Sequence, residues 1–417
     1  MSEGTPAAPG GPRRGALVFI FVTVALDVLA LGIIIPVLPR LVENFVAGDT
    51  ARAARIFGLF GSVWALMQFV ASPVLGGLSD RFGRRPIILI SSFGLGLDYV
   101  FMALAPTLAW LFVGRVISGV TSASFTTAYS YIADVTPPEK RAASFGLVGA
   151  AFGLGFVLGP AVGGLLGASD PRLPFWVAGA MALVNTLYGW FVLPESLPRE
   201  RRRAFDWRRA NPLGSLALLR SSPGLLALAA VYSLHVLAHN VLPSTFVLYA
   251  GLRYGWDARQ VGLMLALVGV CSIAMQALVV RAFVARFGER IALLTAIAGA
   301  IAGYALYGLA STGTALLLSV PVFGLTFMFM PAMQGLMSRS VDPTRQGELQ
   351  GANGSLMGIT GVLGPSLFTQ TFAVFIAGGG WPVIPGAPFF LAAAMMVVAM
   401  LVALHATRLP SSAPART

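Results

Sequence analysis

Lysine and cysteine each occur once in this chain, as Lys140 and Cys271. One cysteine closes no intrachain disulfide and gives no reading of redox compartment; inside an apolar run it reads as a small filler. Lys140 is followed by Arg141, so no Gly-x-x-x-x-Gly-Lys-Ser/Thr phosphate loop exists, which argues against ATP hydrolysis by this chain. Gly-x-Ser-x-Gly, His-Glu-x-x-His and paired catalytic carboxylates are missing from the short polar loops. The chain reads as no enzyme: no catalytic residues, no metal site and no cofactor. Any work it does must draw on an ion gradient or on the substrate's own gradient.

Charge is scarce as well. Charged residues make up 11% of the chain and hydrophobic ones 57%, with mean hydropathy +0.81. A soluble domain does not need so much apolar surface. Apolar runs near the ~20 residues that cross a bilayer core of about 30 Å recur along the chain. They fall at 16–39, 55–78, 86–105, 107–133, 143–167, 174–193, 223–250, 258–281, 290–310, 314–338, 348–376 and 386–405. The fold class expected is therefore an all-α membrane protein of twelve transmembrane helices. The first run contains Asp27 and is too long for a cleaved signal peptide.

The formal net charge is +12, which raises nucleic acid as a partner. The distribution of the basic residues argues otherwise. With the N-terminus inside, 21 of the 28 Lys and Arg fall on cytoplasmic segments, 6 fall on external loops, and Arg115 lies within a span. That is the positive-inside pattern. It places a multi-pass protein in the cell inner membrane with both termini cytoplasmic, in contact with lipid and not with nucleic acid.

The chain also repeats itself. A shift of 205 carries Arg81, Phe82, Gly83 and Arg85 onto Arg286, Phe287, Gly288 and Arg290. The same shift carries Pro138, Gly146, Gly149, Gly153, Gly159 and Pro160 onto Pro343, Gly351, Gly354, Gly358, Gly364 and Pro365. Two parallel copies of one membrane half with a site between them is a transporter plan. The boundaries expected are a first bundle over 1–193, a cytoplasmic linker over 194–222 and a second bundle over 223–417. An interfacial helix is expected around Phe205-Asp206-Trp207, and disordered ends over 1–12 and 410–417.

Ionisable residues in hydrocarbon are expensive and need a reason. Asp27 lies roughly 16 Å, and Asp98 roughly 18 Å, from the cytoplasmic face at 1.5 Å per residue; Arg115 lies about 12 Å from the other face. All three come near mid-depth. A carboxylate that gains and loses an Arg partner as the protein rocks would load and release a proton. Asp98 and Arg115 flank a tight external turn, and Asp27 reaches Arg115 if the first and fourth spans pack together; sequence does not choose between them, and a static ion pair is the plainer alternative.

His235 and His239 share a helix face at i and i+4. No carboxylate or cysteine joins them on that helix, so a satisfied polar contact or cavity lining is favoured over zinc, with a pH-sensing or substrate role as the alternative. Gln68, Gln334 and Asn353 read as interhelical hydrogen-bonders or as substrate-cavity lining, and Trp64, Phe101, Tyr129, Phe327 and Met330 as candidate walls for a flat ligand. The turn carrying Gly77, Asp80, Arg81, Gly83, Arg84 and Arg85 reads as a conformational gate, because Arg286 and Arg290 repeat it. Gly155, Gly159, Pro160, Gly163 and Gly164, echoed by Gly364 and Pro365, read as close-packing surfaces with hinges.

These motifs resemble the major facilitator superfamily over residues 16–405. The 77–85 loop is similar to that family's signature between its second and third helices. Leu111-Phe112-Val113-Gly114-Arg115 through Gly119 resembles its fourth-helix motif, whose Arg handles protons. The stretch from Gly155 to Gly164 resembles the fifth-helix motif of its drug/proton antiporters, which importers usually lack. Leu26-Asp27, Ile35-Pro36-Val37-Leu38-Pro39, Leu97-Asp98-Tyr99 and Pro331-Ala332-Met333-Gln334-Gly335 are similar to segments of bacterial tetracycline/proton antiporters. The resemblance implies two pseudo-symmetric six-helix bundles, a cavity lined by the first, fourth, seventh and tenth helices, and Asp27 as partner of Arg115. It also shows a departure: Ile297-Ala298 is followed by Gly299, where those antiporters carry an Asp, so the second half has no buried carboxylate. The expectation is a monomeric exporter of a small amphipathic compound, tetracycline-like or another drug, in exchange for protons. The alternative is a metabolite facilitator or importer of the same superfamily.

Overall fold

Several helices start where the sequence supplies a capping oxygen. Asp49 accepts from the Arg52 N–H at 2.9 Å, Ser222 from Leu225 at 3.2 Å, Asp257 from Gln260 at 2.8 Å and Thr312 from Ala315 at 3.2 Å. Each relieves one unpaired donor of the first helical turn. The computed structural model describes residues 14–122, 125–137, 141–203, 211, 213–378 and 382–406. The expected interfacial helix at Phe205-Asp206-Trp207 lies outside the described residues, as do 1–12 and 410–417.

Sixteen α-helices and no strands occur among the described residues. The first six spans are α1 (Arg14–Ile34) with α2 (Leu38–Phe45), α3 (Thr50–Phe82), α4 (Arg84–Leu104), α5 (Leu108–Thr121) with α6 (Phe125–Val135), α7 (Arg141–Ser169) and α8 (Leu173–Val192). The next are α9 (Pro223–His239) with α10 (Val241–Tyr254), then α11 (Ala258–Ala274), α12 (Arg281–Leu309), α13 (Gly313–Gly324) with α14 (Phe329–Arg339), α15 (Gln346–Ile376) and α16 (Ala387–Ala406). Eleven stretches are long and apolar enough to cross a membrane, and one of them, Ala258–Leu309, runs for 52 residues. It divides at Gly288, where φ is 79° and ψ 165°, giving the eighth and ninth of twelve spans. Its repeat partner Gly83 has φ 109° and ψ 157° and separates α3 from α4. Only glycine adopts that region without strain, which is why both copies keep it.

The breaks within spans also follow the repeat. The first span is interrupted between Ile34 and Leu38, and the seventh at Asn240, the position 205 after Ile35. The fourth is interrupted after Thr121, and the tenth by a 3₁₀ turn over Leu325–Met328. The expected cavity helices are all discontinuous, and the eighth span also changes character, through a π-helical stretch over Met275–Val280. By contrast α7 and α15 run unbroken through Pro160 and Pro365. A proline removes only one hydrogen bond, so a helix held by its neighbours can continue through it.

Glycines set the seams. A Cβ on Gly159 would stand 2.6 Å from the Cα of Gly32, and one on Gly163 would stand 2.0 Å from the Ile33 carbonyl oxygen, so α7 lies backbone-to-backbone on α1. On its other side α7 meets α11: a Cβ on Gly164 would stand 2.4 Å from the Ala258 oxygen, and one on Gly262 2.2 Å from the Pro160 oxygen. The repeat-related seam joins α3 to α15. A Cβ on Gly61 would stand 2.8 Å from that of Pro365, and the Ser62 and Ser366 hydroxyls bond at 2.8 Å.

Both seams close at one end only. Toward the Gly83 and Gly288 turns, Gly76, Gly149 and Gly354 have nothing within 4 Å of a built Cβ. At the opposite end the Arg40 guanidinium, at the mouth of the first span, donates to the main-chain carbonyl of Trp256 in the turn between α10 and α11. The first six and last six spans therefore enclose a cleft open toward the arginine-rich turns.

Candidate functional site

The three ionisable residues expected at mid-depth are all withdrawn from lipid. Asp27 is 6% exposed, Asp98 1% and Arg115 9%. They do not form one cluster. Asp27, on α1, accepts from the Ser92 hydroxyl of α4 at 3.0 Å and from the Asn185 amide of α8 at 2.8 Å, and Asn185 donates again to the Thr23 carbonyl at 2.9 Å. This pins the first, third and sixth spans together at one carboxylate.

Asp98 is different. Neither of its carboxylate oxygens has a hydrogen-bond partner. It lies against the Gly114 backbone, where a Cβ would come within 3.2 Å of its Oδ1, and it interacts electrostatically with Arg115 and with the Ser118 hydroxyl, which is outside good hydrogen-bond geometry. The Arg115 guanidinium sits 5.3 Å from the Trp64 ring centroid, a cation–π contact from the fourth span to the second, and its Nε is unpaired. The charged neighbour of Arg115 is thus Asp98, and the partners of Asp27 are neutral. The expected Asp27–Arg115 pairing is not the arrangement in this structure, because Ser92 and Asn185 occupy the Asp27 oxygens.

The turn at 77–85 is a dense charge clasp. Arg84 is buried, reaching Asp80 at 2.6 Å, Asp134 at 3.1 Å and the Ser79 hydroxyl at 2.6 Å. Glu195, from the segment after α8, accepts from the Arg84, Ser196 and Leu197 N–H groups at 2.9, 3.0 and 3.0 Å and so caps α4. Gly83 makes room for it: a Cβ there would stand 2.2 Å from the Glu195 carboxylate. Gly77 is half-buried, Arg81 is exposed over the Phe82 ring at 5.1 Å, and Arg85 donates to the Trp190 carbonyl. In the second half, Arg286 and Arg290 are both exposed, with Arg286 5.6 Å from the Phe287 ring centroid. The clasp there is made instead by Glu289 and Arg339 at 2.7 Å. Sequence reading missed Asp134, Glu195, Glu289 and Arg339. The 205 shift does map Arg84 onto Glu289 and Asp134 onto Arg339, which was the available signal.

The polar residues expected in the cavity separate. Asn353 is buried on α15 with both amide atoms unpaired. Gln334 accepts from Gln350 at 3.1 Å, and Gln68 is half-buried on α3. His235 is buried with its ring stacked 3.5 Å from Phe329, while His239 is exposed. No group of three or more metal-binding side chains exists among the described residues. Among the hinge glycines, Gly155 would place a Cβ 2.6 Å from a Val28 methyl, and Gly364 one 2.5 Å from the Asn240 Cβ, at the break of the seventh span.

A duplicated six-helix bundle with buried mid-membrane charges and a cleft between the copies defines a multi-pass membrane transporter. The Major Facilitator Superfamily model matches residues 20–365 and 228–417, and the chain belongs to that family. It is 39% identical over 360 residues to the class C tetracycline resistance protein of Escherichia coli, covering 86% of this chain and 90% of that one. It is 34% identical over 370 residues to the class B protein of Escherichia coli, covering 88% and 90%. The solved human organic anion transporter MFSD10 (TETRAN) superposes with TM-score 0.69 at 24% identity over 94% of this chain and all of that one. An inward-facing bacterial homologue of the lysosomal transporter Spinster superposes with TM-score 0.76 at 18% identity over 97% and 98%, a likeness of fold.

Proposed function

We propose that this chain exports a small amphipathic compound in exchange for protons by alternating access, with Asp27, Asp98 and Arg115 as the coupling set. The observation that carries this reading is Asp98: a buried carboxylate with both oxygens unpaired, beside the guanidinium of Arg115. A buried carboxylate held only loosely, with Arg115 and the Ser118 hydroxyl as its polar neighbours, is free to change protonation as those neighbours move. The Asp27 site, with neutral donors from two other spans, would transmit the change to α4 and α8.

In this reading the bundles 1–193 and 223–417 move as bodies about the linker 194–222. The seams of α3 with α15 and α7 with α11 are the surfaces on which they rock, with the 155–164 and Gly364-Pro365 segments as their fulcrum. The clasps around Arg84 and Glu289 hold the cytoplasmic ends. With both termini in the cytoplasm, as the basic residues favour, the open cleft faces inward. The relatives' names make tetracycline the first compound to test, although Gly299 stands where a carboxylate is expected by resemblance.

The test is exchange in proteoliposomes. An imposed pH gradient should drive uptake into inverted vesicles, and Asp98→Asn should abolish that drive while leaving exchange between substrate pools. Wild-type transport indifferent to the pH gradient would remove the proton from the account.

A further inference from the structure

We propose that His235 and His239 form, with Phe329 and Phe323, a ring ladder in the second half that binds the flat aromatic part of a substrate. The inference rests on the export reading above and adds a subsite to it. The four rings lie in one order and nearly parallel. Phe323 and His239 differ by 10° in plane, His239 and His235 by 18°, and His235 and Phe329 by 10°. The spacing is uneven. His235 and Phe329 are in contact at 3.5 Å between centroids, whereas His239 stands 6.0 Å from His235 and 6.4 Å from Phe323. At those two distances neither face of His239 is stacked at contact distance on a neighbouring ring.

Two observations point to a ligand rather than to a packed core. His239 is exposed, although Phe323 is fully buried and Tyr304, whose hydroxyl lies 3.5 Å from the His239 Nδ1, is fully buried too. His239 ends α9 at the break of the seventh span, one of the expected cavity helices, and we read its open surface there as cavity wall. His235 is 5% exposed, and its Nδ1 is buried without a hydrogen-bond partner, a group that a core would ordinarily satisfy. The ladder is also private to the second half. The positions 205 earlier are Ala30 and Ile34, so the first half offers charges at mid-depth and the second offers rings. Aromatic faces bind flat ligands by stacking, and imidazole nitrogens address polar groups on the ligand's edge. A propeller-shaped cation would gain nothing from such a ladder.

The test uses two monocations of different shape, flat 9-aminoacridine and propeller-shaped tetraphenylphosphonium. Both are bound at equilibrium to the purified full chain in lipid nanodiscs without a gradient. His239→Ala should weaken 9-aminoacridine roughly two- to tenfold, the worth of one aromatic pair. His239→Phe should restore it, and tetraphenylphosphonium should be unmoved by either. Equal weakening of both probes, no weakening of either, failure of His239→Phe to rescue, or no 9-aminoacridine binding to the wild type would each overturn the ladder. Ladder-dependent binding without gradient-driven export would keep this inference and sink the export reading. Proton-driven export of 9-aminoacridine that ignores His239→Ala would do the reverse.

Discussion

Arg84 and Glu289 occupy one position of the repeat, 205 residues apart, and carry opposite charges. Each is clasped by the residue at another shared position: Arg84 by Asp134 and Glu289 by Arg339. The duplication has kept an ion pair between the start of the third and ninth spans and the ends of the fourth and tenth, and has reversed its polarity.

The two clasps are unequal in burial, and so in consequence. The Arg84 side chain is 10% exposed and that of Arg339 77%. Arg339→Ala should cost about 1 kcal/mol, since the exposed Arg339 end is screened by solvent although Glu289 is largely buried. Arg84→Ala leaves Asp80 and Asp134 without their shared cation and should cost roughly 1–3 kcal/mol. Unfolding midpoints in detergent check the order; a larger loss for Arg339→Ala would refute the ranking.

The turn glycines should respond unequally as well. Gly83→Ala must carry a side chain at φ 109° and meet the Glu195 carboxylate, whereas Gly288→Ala is strained at φ 79° but has open space around it. Backbone strain alone costs on the order of 1–2 kcal/mol, which is the expectation for Gly288→Ala, with more for Gly83→Ala. Glu195→Ala in the Gly83→Ala background should recover part of the excess.

The seam between α7 and α11 is tight enough to set the conformational balance. Gly262→Val places branched carbon against the Pro160 carbonyl, where even a Cβ would stand at 2.2 Å. The closed end should be forced apart and the population moved toward the opposite opening. Spin labels at positions 76 and 354, in a Cys271→Ser background, should then come closer together; an unchanged distance distribution would show that the seam yields locally.

Asn185→Leu should be harmful although it removes no charge. It strips the amide that serves both Asp27 and the Thr23 carbonyl; the carbonyl keeps its helical bond within α1, and the buried carboxylate bears a loss of about 1–3 kcal/mol. Stability and gradient-driven transport should both fall, and Asp27→Asn should relieve part of the stability loss.

Restoring the carboxylate at Gly299 should fail on its own. A Cβ there would stand 2.4 Å from that of Leu325, in the 3₁₀ turn of the tenth span. Gly299→Asp should lower the yield of folded protein, and pairing it with Leu325→Ala should recover it. A well-folded Gly299→Asp single variant would contradict the packing.

The spans were legible because hydrocarbon imposes a length and a composition on every segment. The expected 174–193 run became Leu173–Val192, and 348–376 became Gln346–Ile376. The turn glycines were legible through the 205 shift, since a positive φ leaves few alternatives. The break at 35–37 has its cause in Pro36, which disfavours helix at itself and at Ile35, whereas the break at Asn240 has no such residue at that position and lies inside an apolar run. At Gly159-Pro160 the helix continues without a break, and α1 and α11 pack on it from both sides. Partners of Asp27 were hidden for a different reason: Ser92 and Asn185 are 65 and 158 residues away, and only helix packing brings them together.

At the end where the seams close, Arg40 bonds to the main chain of Trp256 rather than to a side chain. Every amino acid supplies that carbonyl, so drift at position 256 leaves the acceptor in place. The bond is heritable through one codon only, and natural or selected variants that loosen this end of the protein should accumulate at Arg40 and not at the residue it touches.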